Sequence, residues 1–322
     1  MEKINFLQDI TYKNPNNTQG TDQELCFPLT GYGYTLDKML NNKNRWYAKI
    51  VCHIQNNKDS RHYVSTTYAK HYDYLRLIET TTLLKCNNKL IPEIVELHPG
   101  ENTVVCKHIG EFLSDYLTNN ASETFQALSA VFEYMEEINQ IEMCYKSFIT
   151  PSIVEISLNL SDEFPNEFDF LPETRVILEA LKKSGIKFPY GCGVEDPHIW
   201  NFRVRKSLGK TRALTTDFDY FSNEVNYFWE LGYFYATLRW LSRHDFYLRR
   251  KAEHILLTFV QKADLKSEFM FWLGVLSSYC GYRDSFCNSV ISGQVTDPEL
   301  EEQYKMIKLL DEKVSCLAKK FL

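Results

Sequence analysis

EDPHIWNF, at residues 195–202, places two carboxylates, a histidine, an indole and an amide within eight positions. Asp196 precedes Asn201 by five residues, and a second acidic stretch, DFD, follows at 217–219 after the strand-like segment TRALTT. Mg²⁺ prefers carboxylate, carbonyl and phosphate oxygens as its ligands. Two turns that carry such oxygens, joined by a short hairpin, therefore predict a magnesium–nucleotide site.

This spacing resembles the protein-kinase-like fold, in which a D-x-x-x-x-N loop is followed by a D-F-G triplet. The closer resemblance is to the aminoglycoside phosphotransferase and choline kinase family, whose loop runs H-G-D-x-H-x-x-N. In this chain DPHIWN supplies Asp196, His198 and Asn201 in the same register. Asp219 stands where protein kinases have glycine, which is compatible with a small-molecule kinase.

Further matches lie upstream in the order that this family has. TGYGYT, with Gly31 and Gly33, is placed like a nucleotide loop, and Lys49 follows in the strand-like YAKIV. Glu79 lies in the middle of a predicted helix, like the family glutamate that pairs with the lysine. VVCKHIGEFLSDYL, residues 104–117, is similar to the hinge strand whose backbone faces adenine.

The resemblance implies ATP (or GTP) and Mg²⁺ as cofactors and a small-molecule hydroxyl, aminoglycoside-like, choline-like, sugar or nucleoside, as the acceptor. By position, Asp196 would orient or deprotonate that hydroxyl, and Asn201 and Asp217 would hold Mg²⁺. Lys49 would contact the phosphates and Glu79 would hold Lys49, with the loop glycines beside the nucleotide. Phosphoryl transfer depends mostly on positioning and charge neutralisation, so these few groups suffice for it.

Two departures weaken the match, because Val194 and Glu195 replace the histidine and glycine of H-G-D. Glu195 either raises a neighbouring pKa or points to solvent, and solvent is the favoured interpretation. His198 is expected to brace the loop. These departures motivate a rival hypothesis, a catalytically impaired kinase-like protein that binds nucleotide or acts through protein interactions. A protein kinase with a peptide acceptor is a third possibility.

Each matched residue also has an ordinary structural interpretation. Lys49 can extend from a sheet edge with its ammonium in water, and Glu79 can lie on a solvated helix face. Asp196 and Asp217 can cap turns, and the glycine pair can form a plain hairpin turn. The joint spacing of Asp196, Asn201 and Asp217 favours the functional interpretation for the acids.

The distribution of patterns predicts an α+β protein with two lobes, and the resemblance implies a protein-kinase-like fold, with nucleotide bound by the N-terminal lobe and catalysis in the C-terminal lobe. Residues 1–23 are expected to form a polar N-terminal arm or loop. Residues 24–110, strand-like with one helix over 68–86, form a small antiparallel-sheet N-terminal lobe that binds nucleotide. Residues 111–322 form a larger, mainly helical lobe that carries the catalytic and substrate sites, with the first long helical stripe over 121–143.

Composition excludes several classes of protein. With 36 basic and 42 acidic residues among 322, the net charge is −6, which provides no field for nucleic acid. The longest apolar run, 269–282, is too short and too polar to span a bilayer. Nine cysteines without a C-x-x-C pair favour reduced, buried thiols, Cys192 included. We therefore expect a soluble cytoplasmic protein, and the sequence leaves its oligomeric state open.

An aromatic-rich segment, 220–233, offers two interpretations. Its rings can bind a cationic amine through their faces, or they can form the core side of a helix, which is favoured. Glu230 in the same segment is placed like the family's helix acid that faces the catalytic loop, and is interpreted first as a structural partner.

Overall fold

The structure is a computed structural model. It describes residues 29, 32, 34–39, 49–68, 70–84, 90–107, 110–155, 158, 171–207, 209–215, 221–241, 246–260, 263–291 and 297–322. Helices and antiparallel sheets are both present, so the predicted α+β class is confirmed.

The first sheet is antiparallel throughout and lies in the N-terminal part of the chain. Its strands are β1 (Tyr34–Met39), β2 (Lys49–Asn56), β3 (His62–Tyr68), β4 (Ile94–His98) and β5 (Thr103–Lys107). They are ordered β1-β2-β3-β5-β4. One face of this sheet is closed by a buried apolar cluster that includes Ile54, Tyr63 and Val105.

One helix, α1 (His71–Leu84), separates β3 from β4. It confirms the helix predicted over 68–86, and strands β4 and β5 pair as an antiparallel hairpin. Strands β1, β2 and β3 lie in the part of the chain that was predicted to be strand-like. The predicted arm at 1–23 lies outside the described residues.

Two smaller sheets surround the EDPHIWNF loop. Their strands are β6 (Glu111–Phe112), β7 (Cys144–Ser147), β8 (Lys187–Val194), β9 (Phe202–Ser207), β10 (Lys210–Thr215) and β11 (Phe221–Val225). One sheet has the order β10-β9-β6 and the other the order β11-β8-β7. The loop therefore runs from the central strand of one sheet to the central strand of the other.

Helices make up most of the remaining described chain. They are α2 (Leu113–Asn119), α3 (Thr124–Asn139), α4 (Pro172–Ser184), α5 (Tyr227–Leu241), α6 (Phe246–Val260), α7 (Leu265–Ile291) and α8 (Asp297–Ala318). The helical stripe predicted over 121–143 corresponds to α3. The short strand β11 before α5 was not predicted, since that segment was interpreted as helical.

Helices α5 and α7 approach each other closely at two glycines. A Cβ built on Gly232 would lie 1.9 Å from the carbonyl oxygen of Phe271, and one on Gly274 would lie 2.0 Å from that of Trp229. Since no side chain fits there, glycine on both helices permits backbone-to-backbone contact. This contact fixes α5, the helix that lies behind the EDPHIWNF loop.

The described residues pack into two units, one within 1–74 and 94–108 and the other within 75–93 and 109–322. The division at residue 110 into a nucleotide-binding and a catalytic lobe stays a prediction about function. Among the described helices, none combines the length and apolar composition needed to cross a membrane. Cys192 is buried, as predicted, and its burial raises the pKa of the thiol to about 11.

Candidate active site

The EDPHIWNF loop is a compact turn closed by its own backbone. After β8 ends at Val194, the N–H of His198 donates to the carbonyl of Asp196 over 2.8 Å, and the N–H of Asn201 donates to that of His198 over 2.8 Å. A 3₁₀ turn, Ile199–Asn201, then leads directly into β9. This geometry brings residues 196 and 201 to the same side of the turn.

Asn201 clamps the loop through its side-chain amide. Its Nδ2 donates to the backbone carbonyl of Asp196 over 2.9 Å. Because Nδ2 is used in this bond, Oδ1 is the amide atom that is left for a cation. The structure thus brings together two of the predicted site residues, one on each end of the loop.

The Asp196 carboxylate retains capacity to bind. Its side chain is 32% exposed, and Oδ1 lies 2.8 Å from Nε2 of His198. Despite that distance, Oδ1 accepts no hydrogen bond of good geometry. Oδ1 is therefore buried beside the imidazole, and an added hydroxyl group or cation can reach the exposed remainder of the side chain.

Hydrogen bonds from two neighbouring elements, α5 and β10, hold the loop in place. Oγ1 of Thr237, on α5, accepts the N–H of the fully buried Ile199 over 3.3 Å, and Oγ1 of Thr215, on β10, donates to the carbonyl of Asn201 over 3.1 Å. Both threonines are fully buried. Sequence patterns did not identify them, because the partner of each lies 14 to 38 residues away.

Arg203 was also missed, although it follows Asn201 by two residues. The side chain is buried; Nη1 donates to the carbonyl of Gly110 over 3.2 Å, and the guanidinium lies 3.5 Å from the ring centroid of Phe112. Burial lowers the pKa of the guanidinium to about 10. Arg203 therefore anchors β9 beside β6, a strand within the predicted hinge segment 104–117.

Glu230, on α5, supports the start of the loop. It is 2% exposed, and Oε1 accepts the N–H of Val194 over 3.2 Å while Oε2 has no hydrogen-bond partner. Burial raises the pKa of this carboxyl to about 8, and the Val194 hydrogen bond only partly opposes that rise. Glu230 has the structural role that its position in the sequence indicated.

The expectation that Glu195 points to solvent is wrong. The side chain is partly buried, and Oε2 accepts a hydrogen bond from Ser152 over 3.4 Å. Burial raises the pKa of the carboxyl, while a hydrogen bond from Ser222 and the nearby Arg76 guanidinium lower it. The carboxylate that replaces the family glycine therefore has polar partners outside the loop, in Ser152 and Ser222.

The aromatic residues around the loop divide between bracing and core positions. The His198 ring packs edge-on against Tyr233, at 5.6 Å between centroids, and near the 40% exposed Trp200, at 5.8 Å. Tyr233 and Trp229 are buried. The core interpretation of these two aromatic residues is therefore correct, and neither ring presents an open face to a cationic amine.

The remaining predicted site residues are placed only in part. Gly31, Gly33 and Asp217 lie outside the described residues. Lys49 begins β2, where its backbone pairs with Tyr68, and its side chain is not described. Glu79 is exposed on α1. Within the described part of the chain, no three His, Cys, Asp or Glu side chains are grouped to bind a metal ion.

Comparisons with known proteins agree with the geometry at the level of the fold. No protein-family model matches the chain, and no curated protein matches its sequence. Among solved structures, the chain is similar to an ethanolamine kinase of Plasmodium vivax, with a TM-score of 0.54 and 13% identity over 91% of this chain and 84% of that one. This chain has a kinase-like fold.

Two further solved structures are similar to the chain. They are a choline kinase from Streptococcus pneumoniae, with a TM-score of 0.48, 11% identity and coverage of 86% of this chain and 94% of that one, and a choline kinase from Cryptosporidium parvum Iowa II, with a TM-score of 0.46, 12% identity and coverage of 88% and 90%. The predicted protein-kinase-like architecture is thus confirmed by the ethanolamine kinase structure.

Proposed function

We propose that the chain is a phosphotransferase that moves the γ-phosphate of ATP (or GTP) to a hydroxyl group of a small molecule. The observation that carries the proposal is the clamp between Asn201 and the Asp196 carbonyl, in a loop of kinase-like fold. The clamp presents a carboxylate and an amide oxygen on one turn. Such a pair suits a hydroxyl group and a cation side by side.

In this proposal the magnesium nucleotide supplies the phosphoryl group and neutralises its charge. Asp196 orients the acceptor hydroxyl and takes its proton, for which part of its side chain is exposed. Asn201 contributes Oδ1 to the cation, and Asp217 contributes the second protein ligand. Thr215 and Thr237 keep the loop from moving as charge develops.

The upstream residues keep the roles that the resemblance implies. Lys49 contacts the phosphates, Glu79 holds Lys49, and Gly31 and Gly33 let the loop backbone approach the nucleotide. The reaction takes place in the cytoplasm, where ATP and Mg²⁺ are available. These assignments rest on the order of the matches along the chain.

For the acceptor, we propose first an amino alcohol, because one solved structure of similar fold is an ethanolamine kinase. Aminoglycosides, sugars and nucleosides are the other acceptors to be tested. The buried state of Trp229 and Tyr233 removes the argument that these two rings bind the cation. An amine would therefore be recognised by other groups.

Binding of nucleotide is tested by thermal shift with Mg-ATP and Mg-GTP. Wild type and Asp196→Ala are expected to gain stability, because binding to the native state alone raises the melting temperature. Asp217→Ala is expected to lose most of the shift. No shift in the wild type would contradict the enzyme hypothesis, and an equal shift in Asp217→Ala would remove this residue from the metal site.

Turnover is tested by an ATP-consumption screen over ethanolamine, choline, an aminoglycoside, a sugar and a nucleoside. One of these acceptors is expected to stimulate ADP formation by the wild type. Asp196→Ala is expected to lose about 10²- to 10⁴-fold in kcat while still binding Mg-ATP, which is the usual contribution of a general base. Turnover unchanged by Asp196→Ala would refute the role of this carboxylate.

A second candidate function is a catalytically impaired, kinase-like protein that binds nucleotide or a protein partner. The specific observation in its favour is the pair Val194 and Glu195 in place of histidine and glycine. The Glu195 side chain is hydrogen-bonded to Ser152, so the replacement does not occupy the Asp196 carboxylate. A Mg-ATP thermal shift without ADP formation for any acceptor would favour this second function.

A further inference from the structure

Asn139 lies where two strands of the loop's sheet lose their regular pairing. Strands β8 and β11 pair Ser222 with Gly193 and then Val225 with Gly191, so β11 has two residues where β8 has only Cys192. An irregularity of this kind leaves backbone groups without their usual partner across the ladder. Such groups need another partner when they are buried.

The side chain of Asn139 supplies that partner to both strands. It is 3% exposed, at the last position of α3, and Nδ2 donates to the carbonyl of Val225 over 2.8 Å and to that of Cys192 over 3.3 Å. A single buried amide therefore joins β8 to β11. The second amide hydrogen allows this, since asparagine has two such donors.

The backbone of α3 is also in direct contact with β8. A Cβ built on Gly191 would lie 1.8 Å from the carbonyl oxygen of Asn139, so only glycine permits this approach. The N–H of Cys192 donates to the carbonyl of Ile141 over 3.1 Å, just beyond the helix end. The end of α3 is thus bonded to both strands at the same level, four residues before Asp196.

We propose that Asn139 is a positioning residue for the reaction, which holds the Asp196 loop in register by locking β8 to β11. This inference rests on the proposed function. Strand β8 ends at Val194, directly before the loop, and β11 follows the DFD triplet in the chain. Displacement of one strand against the other moves the Asp196 carboxylate away from the reacting groups, and a shift of about 1 Å costs about 100-fold in rate.

The test compares Asn139→Asp, which keeps the shape but loses the donors, and Asn139→Ala, which loses them without adding a charge. Asp311→Ala is the matched control, because it removes two buried hydrogen bonds elsewhere, at the N-terminus of α4. We expect kcat with Mg-ATP and the best acceptor of the screen to fall about 10- to 100-fold in either Asn139 variant. We expect KM for Mg-ATP to stay close to the wild-type value, and Asp311→Ala to keep its kcat.

Hydrogen exchange gives a readout that does not depend on turnover. In Asn139→Ala, amide exchange is expected to rise in peptides covering 191–201 and 221–225, whereas Asp311→Ala leaves both unchanged. A rise in amide exchange in only one of the two strands would overturn the inference. A kcat of the Asn139 variants no lower than that of Asp311→Ala would overturn it as well. If the wild type consumes no Mg-ATP with any acceptor, the proposed function is wrong, and hydrogen exchange then decides separately whether Asn139 joins the strands.

Discussion

Three carboxylates near the EDPHIWNF loop differ because their surroundings differ. Asp196 is partly exposed beside His198, Glu195 is partly buried and bonded to Ser152, and Glu230 is buried under the backbone of Val194. A carboxyl group buried without a cation partner favours its neutral form. At the scale of single residues, chemistry is therefore assigned to Asp196 and support to Glu230.

Burial of Glu230 predicts a pH-dependent stability. Its pKa is raised to about 8, so between the ordinary value of 4.5 and about 8 the native state binds more protons than the unfolded state. The free energy of unfolding must then fall as the pH rises through this window, by roughly 3–5 kcal/mol at most. Glu230→Gln removes this dependence and keeps an acceptor for the Val194 N–H.

The measurement is the melting temperature of wild type and Glu230→Gln from pH 5 to pH 9. The melting temperature of Glu230→Gln is expected to rise relative to that of the wild type as the pH rises. Glu133→Gln, on the exposed side of α3, shows the effect of removing one surface charge. If the difference in melting temperature between Glu230→Gln and wild type did not vary with pH, Glu230 would not be a buried, protonated carboxyl group.

Among the helices, α4 depends on a carboxylate from α8 for its N-terminus. Asp311 is buried, and it accepts the N–H of Thr174 over 2.7 Å and that of Glu173 over 3.2 Å. The first N–H groups of a helix have no partner within the helix. Asp311→Ala is expected to lower the free energy of unfolding by about 2–4 kcal/mol, because two N–H groups lose their acceptor.

Urea denaturation measures this loss. Asp311→Asn keeps one side-chain oxygen as an acceptor and is expected to lose only about 1 kcal/mol. The account of α4 would be wrong if the alanine and asparagine variants were equally stable.

The close crossing of α5 and α7 predicts that one added methyl group lowers the stability of the protein. Gly274→Ala would place Cβ 2.0 Å from the carbonyl of Trp229, so the helices must separate. Overpacking of this kind costs about 1–3 kcal/mol and sometimes more. Gly100→Ala is the matched control, since nothing lies within 4 Å of its Cβ, and it is expected to be neutral within about 1 kcal/mol.

The two glycine variants are compared by chemical denaturation and by yield of folded protein. Gly274→Ala is expected to unfold at a lower denaturant concentration than Gly100→Ala, or to fail to fold. Equal midpoints for the two variants would show that the helices do not cross at this glycine.

For the molecule as a whole, features encoded by neighbouring residues were predictable. The helix α1, the β4–β5 hairpin and the α3 stripe follow from local periodicity, and the loop motif indicated the kinase-like fold. The contact of Glu195 with Ser152 was not predictable, because Ser152 lies 43 residues away in the chain. Strand β11 was missed for a similar reason, since its five residues are defined by their pairing with β8.

The proposed function requires that phosphoryl transfer depends on Asp196. This dependence is measured by ³¹P NMR of wild type and Asp196→Asn with Mg-ATP and each acceptor of the screen. ADP and a new phosphomonoester signal are expected with the wild type for one acceptor, and neither is expected with Asp196→Asn at equal nucleotide binding. No phosphomonoester with any acceptor, or the same signal from both proteins, would contradict it.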